Sequence, residues 1–157
     1  MSQVVVLVVE DENVVAMDIK GRLEKMGYEV PETANTCKEA IQKVLEVKPD
    51  IILMDIVLKG DTDGIETAAR INDLFDIPII FITAYSNDEI IQRAKKTVPY
   101  GYLTKPFEDR ELNSMIEISL YKHEMEKKLR ESEEKYRRVV ERFLKLSNEI
   151  IHDINEK

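Results

Sequence analysis

Several residue types that define whole classes of protein are scarce in this sequence. It has no tryptophan and one cysteine, Cys37, among 157 residues. A single cysteine can form neither an internal disulfide nor a metal cage, so we expect Cys37 to be a small packed residue in a reducing compartment. The length, with only five glycines and five prolines, suits one globular domain with some length left over. These features exclude a large multidomain enzyme.

The sequence also lacks an excess of positive charge and any long apolar run. Because 31 Asp and Glu outnumber 23 Lys and Arg, the formal charge is -8, and the basic surface that binds a nucleic-acid backbone is missing. The first apolar run, residues 4–9, is far shorter than the roughly 20 residues of a membrane span, and no signal-peptide pattern accompanies it. We therefore expect a cytoplasmic protein that binds neither nucleic acid directly nor a membrane.

The negative charge lies in the first part of the chain. Residues 1–121 hold 22 acidic and 13 basic side chains, whereas residues 122–157 hold 9 and 10. We therefore divide the sequence into an acidic globular domain, residues 1–121, and a nearly neutral C-terminal segment, residues 122–157.

Short apolar runs alternate with longer amphipathic stretches in the first part, which indicates strands and helices around a parallel sheet. Three runs are continuous and rich in β-branched residues, as expected of central strands buried on both faces: 4–9, 51–54 and 77–82. Two runs, 28–33 and 100–104, are more mixed, and Pro31 lacks a backbone donor, which favours positions nearer the edges. The predicted fold class is α/β, a doubly wound parallel sheet of five strands.

Five helical patterns separate and follow these strands. They cover residues 14–26, 38–47, 65–74 and 88–96, and residue 108 onward. Gly27 is the expected C-terminal cap of the first helix. No Pro or Gly interrupts the chain after Glu108, so we predict one long helix that extends beyond the globular part.

The long helix carries a narrow apolar seam at alternating spacings of four and three residues. Only Ser132 interrupts it, and its members are Met125, Leu129, Tyr136, Val139, Phe143, Leu146 and Ile150. Fourteen of residues 122–142 are charged, so the seam is flanked by solvated side chains. A solvated surface helix is one interpretation. A parallel two-stranded coiled coil is favoured, because an unpaired seam over three heptads would leave apolar surface in water.

Polar residues follow the predicted strands at their carboxyl ends. The first strand is followed by Glu10 and Asp11, the third by Asp55, the fourth by Thr83 and the fifth by Lys105. In a doubly wound sheet these ends collect at one side, where a ligand binds. Converging carboxylates repel one another, and Mg²⁺ relieves that repulsion with oxygen ligands. An aspartate beside Mg²⁺ can attack a phosphoryl donor, while a lysine and a hydroxyl stabilise the phosphoryl oxygens.

Four segments together resemble two-component response-regulator receiver domains in order and spacing. They are Val-Val-Glu-Asp-Glu, Leu-Met-Asp-Ile, Phe-Ile-Thr-Ala and Gly-Tyr-Leu-Thr-Lys-Pro-Phe, and the resemblance covers residues 3 to about 120. It implies a flavodoxin-like strand order of 2-1-3-4-5 with helices on both faces. It also implies phosphoryl transfer from a histidine kinase or phosphotransfer protein in a Mg²⁺-dependent reaction.

The resemblance assigns a role to each residue of the site. The resemblance implies that Asp55 is the phosphoacceptor, that Lys105 is the invariant-type lysine of the family's site, and that Thr83 is the switch hydroxyl. Tyr102 falls at the aromatic switch position, on a switching surface formed by the fourth helix, fifth strand and fifth helix. The implied metal ligands are Glu10, Asp11, Asp55 and the backbone carbonyl of Val57.

The loop after Asp55 departs from the family pattern, being one residue longer and without the common proline. Asp61 and Asp63 in this loop are interpreted as turn residues rather than metal ligands, since both lie beside glycines. Val57 and Tyr85 occupy the positions that flank the phosphorylation pocket in this family. Neither suits the orientation of an attacking water, so we hypothesise slow self-dephosphorylation.

Residues 127–142 resemble the helical segment that precedes sensory PAS domains. Residues 148–157 similarly resemble the opening of a PAS domain, in which an apolar strand runs into a polar turn. This resemblance predicts that the chain is cut from a longer sensor protein and that the missing part carries the output. His152 before Asp153 admits the alternative of a kinase phosphoacceptor histidine, although the match is two residues long.

Three classes of function are considered from the sequence. The favoured one is a phosphoacceptor switch that catalyses only its own phosphorylation and dephosphorylation, with a homodimer formed through residues 108–157. An aspartyl-nucleophile phosphatase is the second. Such enzymes carry an Asp-x-Asp motif after the first strand, whereas here the candidate nucleophile lies on the third strand and position 57 is Val. The third is a structural dimerisation module with a vestigial pocket, which the retention of all five pocket residues disfavours.

Overall fold

The computed structural model describes residues 3–58, 60, 62–84 and 88–156. Five parallel strands form one sheet in the order β2-β1-β3-β4-β5. The strands are β1 Val6–Val9, β2 Thr33–Ala34, β3 Ile51–Asp55, β4 Ile79–Thr83 and β5 Gly101–Thr104. The helices are α1 Asn13–Lys25, α2 Cys37–Val47, α3 Gly64–Leu74, α4 Asp88–Lys95 and α5 Asp109–Asn155. The predicted fold class and strand order are confirmed.

Alternate residues of the central strands face two separate cores. Leu7, Met54 and Phe81 pack on one face of the sheet with residues of α2, α3 and α4. Val8 and Leu53 pack on the other with residues of α1 and α5. All of β1, β3 and β4 is buried, because helices cover both faces of the sheet. Cys37 is a small buried residue, as predicted.

The second strand is shorter than predicted and lies further along the chain. The sequence pattern indicated residues 28–33, but β2 contains only Thr33 and Ala34, with an isolated bridge between Val5 and Glu29. Pro31 separates the two pairing points, and its ring nitrogen has no hydrogen to donate to β1. The strand pairing therefore breaks at Pro31 and resumes two residues later.

The end of α1 has the geometry expected from its glycine. Gly27 has a positive φ of 96°, and its N–H donates to the Glu24 carbonyl at 3.1 Å. The next N–H, that of Tyr28, donates to the Leu23 carbonyl at 3.1 Å. This pair of bonds is a Schellman motif, which directs the chain from α1 back toward the sheet. The predicted glycine cap is confirmed.

The strand suggested within residues 148–157 is wrong, because α5 continues through this segment to Asn155. A strand would need a partner for its backbone groups, whereas a helix satisfies them within the segment.

Among the described residues no helix has a stretch long and apolar enough to cross a membrane.

The chain divides into two compact units, Met1–Tyr121 and Lys122–Lys157. In the second unit the described residues of the predicted seam lie largely in solvent. Leu129, Tyr136, Val139 and Phe143 expose 60% or more of their surface. The pairing of this seam with a second helix in a parallel coiled coil stays a prediction.

Candidate functional site

The strand register brings the polar residues of four strand ends together. Glu10 follows β1, and Asp55 is the last residue of β3. Thr83 is the last residue of β4 and lies one residue beyond Ile82, the strand partner of Asp55. Lys105 follows β5, and its N–H donates to the Thr83 carbonyl at 2.8 Å. Parallel pairing thus places all four residues at the carboxyl end of the sheet.

Three carboxylates form a cluster at this position. One oxygen from each of Glu10, Asp11 and Asp55 lies within 4.8 Å of the others. Glu10 and Asp55 are buried, and Asp11 is half-buried. Buried carboxylates at this spacing need a compensating cation, and a set of oxygen donors open to solvent on one side suits Mg²⁺. The donor set therefore fits the metal that the sequence predicts.

Lys105 joins two of these carboxylates. Its Nζ donates to Glu10 Oε2 at 2.9 Å and to Asp55 Oδ2 at 3.0 Å. Burial lowers the pKa of Lys105, but the hydrogen bonds to Glu10 and Asp55 outweigh it, so the net direction is upward. Lys105 is consequently charged at neutral pH.

Glu10 has the most strongly altered acidity in the pocket. Burial, followed by the neighbouring Asp55, raises the pKa of Glu10 from 4.5 to about 8, although Lys105 acts to lower it. One lysine charge is not enough to keep two buried carboxylates ionised. A divalent cation would supply the missing positive charge.

The other oxygen of Asp55 is held by the following loop. The Val57 N–H donates to Asp55 Oδ1 at 3.0 Å, so the carboxylate is fixed at both oxygens. Ligation by the Val57 carbonyl stays a prediction. Gly64 packs against the same segment, because its N–H donates to the Ile56 carbonyl at 2.7 Å.

The sequence reasoning missed the close packing of Gly64. A Cβ at this position would lie 1.9 Å from the Asp55 carbonyl oxygen. The signal that could have revealed it is a glycine, poor in helix propensity, as the first residue of α3.

The two predicted switch residues contact each other. Thr83 is fully buried, and Tyr102 on the neighbouring strand packs partly buried against the core. Burial raises the pKa of the Tyr102 phenol, and a hydrogen bond with the Thr83 side chain acts in the opposite direction. A displacement of Thr83 would therefore reach Tyr102 directly.

The aspartates of the loop after Asp55 do not join the metal cluster where they are described. Asp63 caps α3, accepting from the Glu66 N–H at 2.9 Å, and pairs with Arg93 at 2.9 Å. Its interpretation as a turn residue is consistent with this role. Asp61 and Tyr85 lie outside the described residues.

Comparison with known families agrees with the fold. The model of the response regulator receiver domain matches residues 6–117, which is more than half of the chain. The chain belongs to the response regulator receiver domain family. Receiver domains are signalling modules of two-component systems, and aspartate phosphorylation is typical of the family.

Curated relatives and solved structures extend the likeness. Over 115 residues the chain is 34% identical to the transcriptional regulatory protein PdtaR of Mycobacterium tuberculosis, covering 73% of this chain and 56% of that protein. It is 32% identical over 117 residues to the phyllosphere-induced regulator PhyR of Methylorubrum extorquens, covering 74% and 43%. The chain thus spans about half the length of these relatives.

A solved structure also matches the fold. The signal receiver domain of a modulated diguanylate cyclase from Desulfovibrio desulfuricans G20 is 40% identical, with a TM-score of 0.75. The alignment covers 80% of this chain and 99% of that one.

Proposed function

We propose that Asp55 accepts a phosphoryl group from a histidine kinase or phosphotransfer protein in a Mg²⁺-dependent reaction. The observation that carries this proposal is the cluster of Glu10, Asp11 and Asp55 with Lys105 bonded to two of its members. A structural ion pair would need one carboxylate for one lysine. Three carboxylates at the carboxyl end of the sheet leave negative charge that a metal and a phosphoryl donor can use.

In this reaction the Asp55 carboxylate attacks phosphorus, and the bond from phosphorus to the donor atom breaks. Mg²⁺, held by Glu10, Asp11, Asp55 and the Val57 carbonyl, would neutralise charge on the phosphoryl oxygens. Lys105 Nζ, now 3.0 Å from Asp55, would turn to a phosphoryl oxygen. The Val57 N–H keeps the carboxylate oriented. The chain thereby catalyses its own phosphorylation.

Transmission of the signal would use the Thr83–Tyr102 contact. The Thr83 hydroxyl would move to hydrogen-bond a phosphoryl oxygen, which changes the space open to Tyr102. Because Tyr102 lies on β5 between α4 and α5 in the chain order, we infer that the α4-β5-α5 surface changes with it. The coupling requires only that phosphorylation favours one of two conformations.

The acceptor assignment is tested by labelling with radioactive acetyl phosphate and Mg²⁺. Asp55→Asn should abolish labelling. Asp50→Asn is a matched control, because Asp50 lies at the opposite end of the same strand, where it accepts from the Val5 N–H at 2.8 Å. Labelling retained in Asp55→Asn, or lost equally in both variants, would contradict the assignment.

We infer that the phosphoryl group persists, because Val57 offers no side-chain polar atom and is 46% exposed beside Asp55. Such a side chain cannot hold a water for attack on phosphorus. Decay of the label should take many minutes. A half-life of seconds would overturn this inference.

We also propose that α5 relays the signal through a parallel homodimer formed by residues 108–157. The seam supports this, since Phe143 is 68% exposed and Leu146 is 52% exposed at heptad spacing. Light scattering on the full chain should give a dimer, with and without beryllofluoride compared. Phe143→Glu should dissociate it, whereas Leu144→Glu, an exposed neighbour outside the seam, should not. A monomer in every condition would contradict the dimer.

The remaining expectations are a cytoplasmic location and the absence of direct contact with nucleic acid or membrane. They rest on the formal charge of -8 and on the short apolar runs.

A further inference from the structure

Arg22, in the last turn of α1, contacts the segment that follows Lys105. Its Nη2 donates to the Phe107 carbonyl at 2.7 Å. Its guanidinium carbon lies 4.6 Å from the centre of the Phe107 ring. Its Nε donates to the carboxylate of Asp109, the first residue of α5. One side chain therefore binds a backbone carbonyl two residues after Lys105 and a side-chain carboxylate four residues after it.

The main chain of Lys105 is thus anchored on both sides. On the N-terminal side, the Lys105 N–H donates to the Thr83 carbonyl at 2.8 Å, which ties the main chain of Lys105 to β4. On the C-terminal side, Arg22 ties Phe107 and Asp109 to α1. A lysine side chain has four rotatable bonds, so fixing its main chain limits where Nζ can lie. Here Nζ lies about equally far from Glu10 and Asp55.

We propose that Arg22 is a positioning residue for Lys105 in phosphoryl transfer. The guanidinium holds the loop between β5 and α5 so that Lys105 Nζ reaches the acceptor carboxylate. The planar group suits this role, because it donates to two oxygens and stacks on Phe107 at the same time. This inference rests on the proposed phosphoacceptor function.

A general tie between α1 and α5 is the competing interpretation of Arg22, and the structure contains a control for it. The Tyr28 hydroxyl, just after α1, donates to Asn113 Oδ1 on α5 at 2.7 Å. This bond joins the same two parts of the chain over 85 residues, as does the Arg22 bond to Phe107. Its partner Asn113 lies further along the sequence from Lys105 than Asp109 does.

The test compares Arg22→Met, Arg22→Lys and Tyr28→Phe by initial labelling rate with acetyl phosphate and by Mg²⁺ affinity. Arg22→Met should label about tenfold more slowly, because small errors in the placement of a catalytic group are costly. Arg22→Lys should fall in between, since an ammonium cannot bind both oxygens and stack. Tyr28→Phe should label at the wild-type rate. Mg²⁺ should bind Arg22→Met at least as tightly as wild type, because Lys105 competes less for the carboxylates.

A Lys105→Ala background separates positioning from general destabilisation. In that background Arg22→Met should produce no further loss of labelling. If Arg22→Met labels like wild type, or slows only as much as Tyr28→Phe, the positioning role is overturned. A parallel loss of Mg²⁺ affinity would overturn it too. Should Arg22→Met not fold, Arg22→Lys carries the same test. Absence of labelling in the wild-type chain would instead overturn the proposed function.

Discussion

Two stretches of α5 carry the same kind of apolar pattern but bury it to different extents. In the first three turns Leu112 and Ile116 are fully buried against the sheet with α1. In the second unit Leu129 and Phe143 expose 60% and 68% of their surface. Helical periodicity predicts both stretches equally well. What differs is whether another part of the same chain covers the apolar face.

The difference indicates two sources of stability within one helix. The first stretch folds with the sheet, so its apolar residues contribute to the unfolding free energy of the first unit, Met1–Tyr121, which we call the receiver unit. The second contains a salt-bridged polar surface, such as the pair Arg138–Glu134 at 2.6 Å, that supports the helix without covering its seam. Its apolar residues are exposed in the described structure, and we propose that a second copy of the helix covers them.

The largest expected effect comes from removing one leucine in each stretch. Leu112→Ala should lower the unfolding free energy by about 2–5 kcal/mol, because it leaves a cavity in a packed core. Leu129→Ala should change it by no more than about 0.5 kcal/mol and should weaken self-association instead. Urea denaturation at several protein concentrations measures both quantities. Equal losses in the two variants would remove the distinction between the stretches.

A second pair of substitutions tests how tightly the receiver unit is packed beside Asp55. Gly64→Ala places a Cβ against the Asp55 carbonyl oxygen and should cost about 3 kcal/mol, because backbone on both sides must shift. Gly21→Ala on α1 is the matched control, as the described residues leave its Cβ position open. It should stabilise by roughly 0.5–1 kcal/mol through helix propensity. Thermal unfolding of both variants checks this, and a tolerated Gly64→Ala would contradict the close approach.

The sequence was sufficient for the features that rest on local pattern. The central strands, the helices and the residues at the strand ends follow from apolar periodicity, and parallel pairing then brings Glu10, Asp55 and Lys105 together. Features that depend on tertiary contacts could not be predicted. The guanidinium of Arg22 finds a backbone carbonyl 85 residues away, and no sequence pattern identifies a carbonyl as a partner.

The two errors in secondary structure have similar explanations. Residues 28–33 have strand composition, but Pro31 and the geometry of β1 decide where pairing starts. Residues 148–157 contain β-branched residues that suit a strand, yet strand formation needs a neighbour that the segment does not have within its unit. A helix instead satisfies the backbone groups within the segment, and His152 Nε2 lies 3.2 Å from Glu156 Oε1 on the next turn.

The difference in pKa between one glutamate of each unit predicts an effect of intermediate size. Glu10 in the receiver unit has its pKa raised to about 8 by burial, whereas Arg138 lowers the pKa of exposed Glu134. Mg²⁺ must displace a proton from Glu10 below pH 8, so its affinity should rise by up to about tenfold per pH unit between pH 6 and 8. Without metal the folded state binds more protons than the unfolded state in this range. Its stability should therefore fall as pH rises from about 5 to 8.

Magnesium titrations and urea denaturation at pH 6, 7 and 8 measure the two effects. Glu10→Gln should remove the pH dependence of stability in this range and also weaken Mg²⁺ binding. Glu134→Gln in the second unit should change neither slope. A Mg²⁺ affinity that does not vary with pH would contradict the raised pKa of Glu10.

The smallest expected effect comes from a serine on the apolar face of each stretch. The buried Ser119 hydroxyl has no hydrogen-bond partner among the described residues, so Ser119→Ala should stabilise the receiver unit by about 1 kcal/mol. Ser114→Ala on the exposed side of α5 measures the part due to helix propensity alone. Ser132 instead interrupts the seam, so Ser132→Leu should leave unfolding of the receiver unit unchanged and tighten the proposed dimer severalfold. If Ser132→Leu leaves self-association unchanged while Ser119→Ala stabilises, the seam is not a dimer interface and only the first stretch of α5 has a covered apolar face.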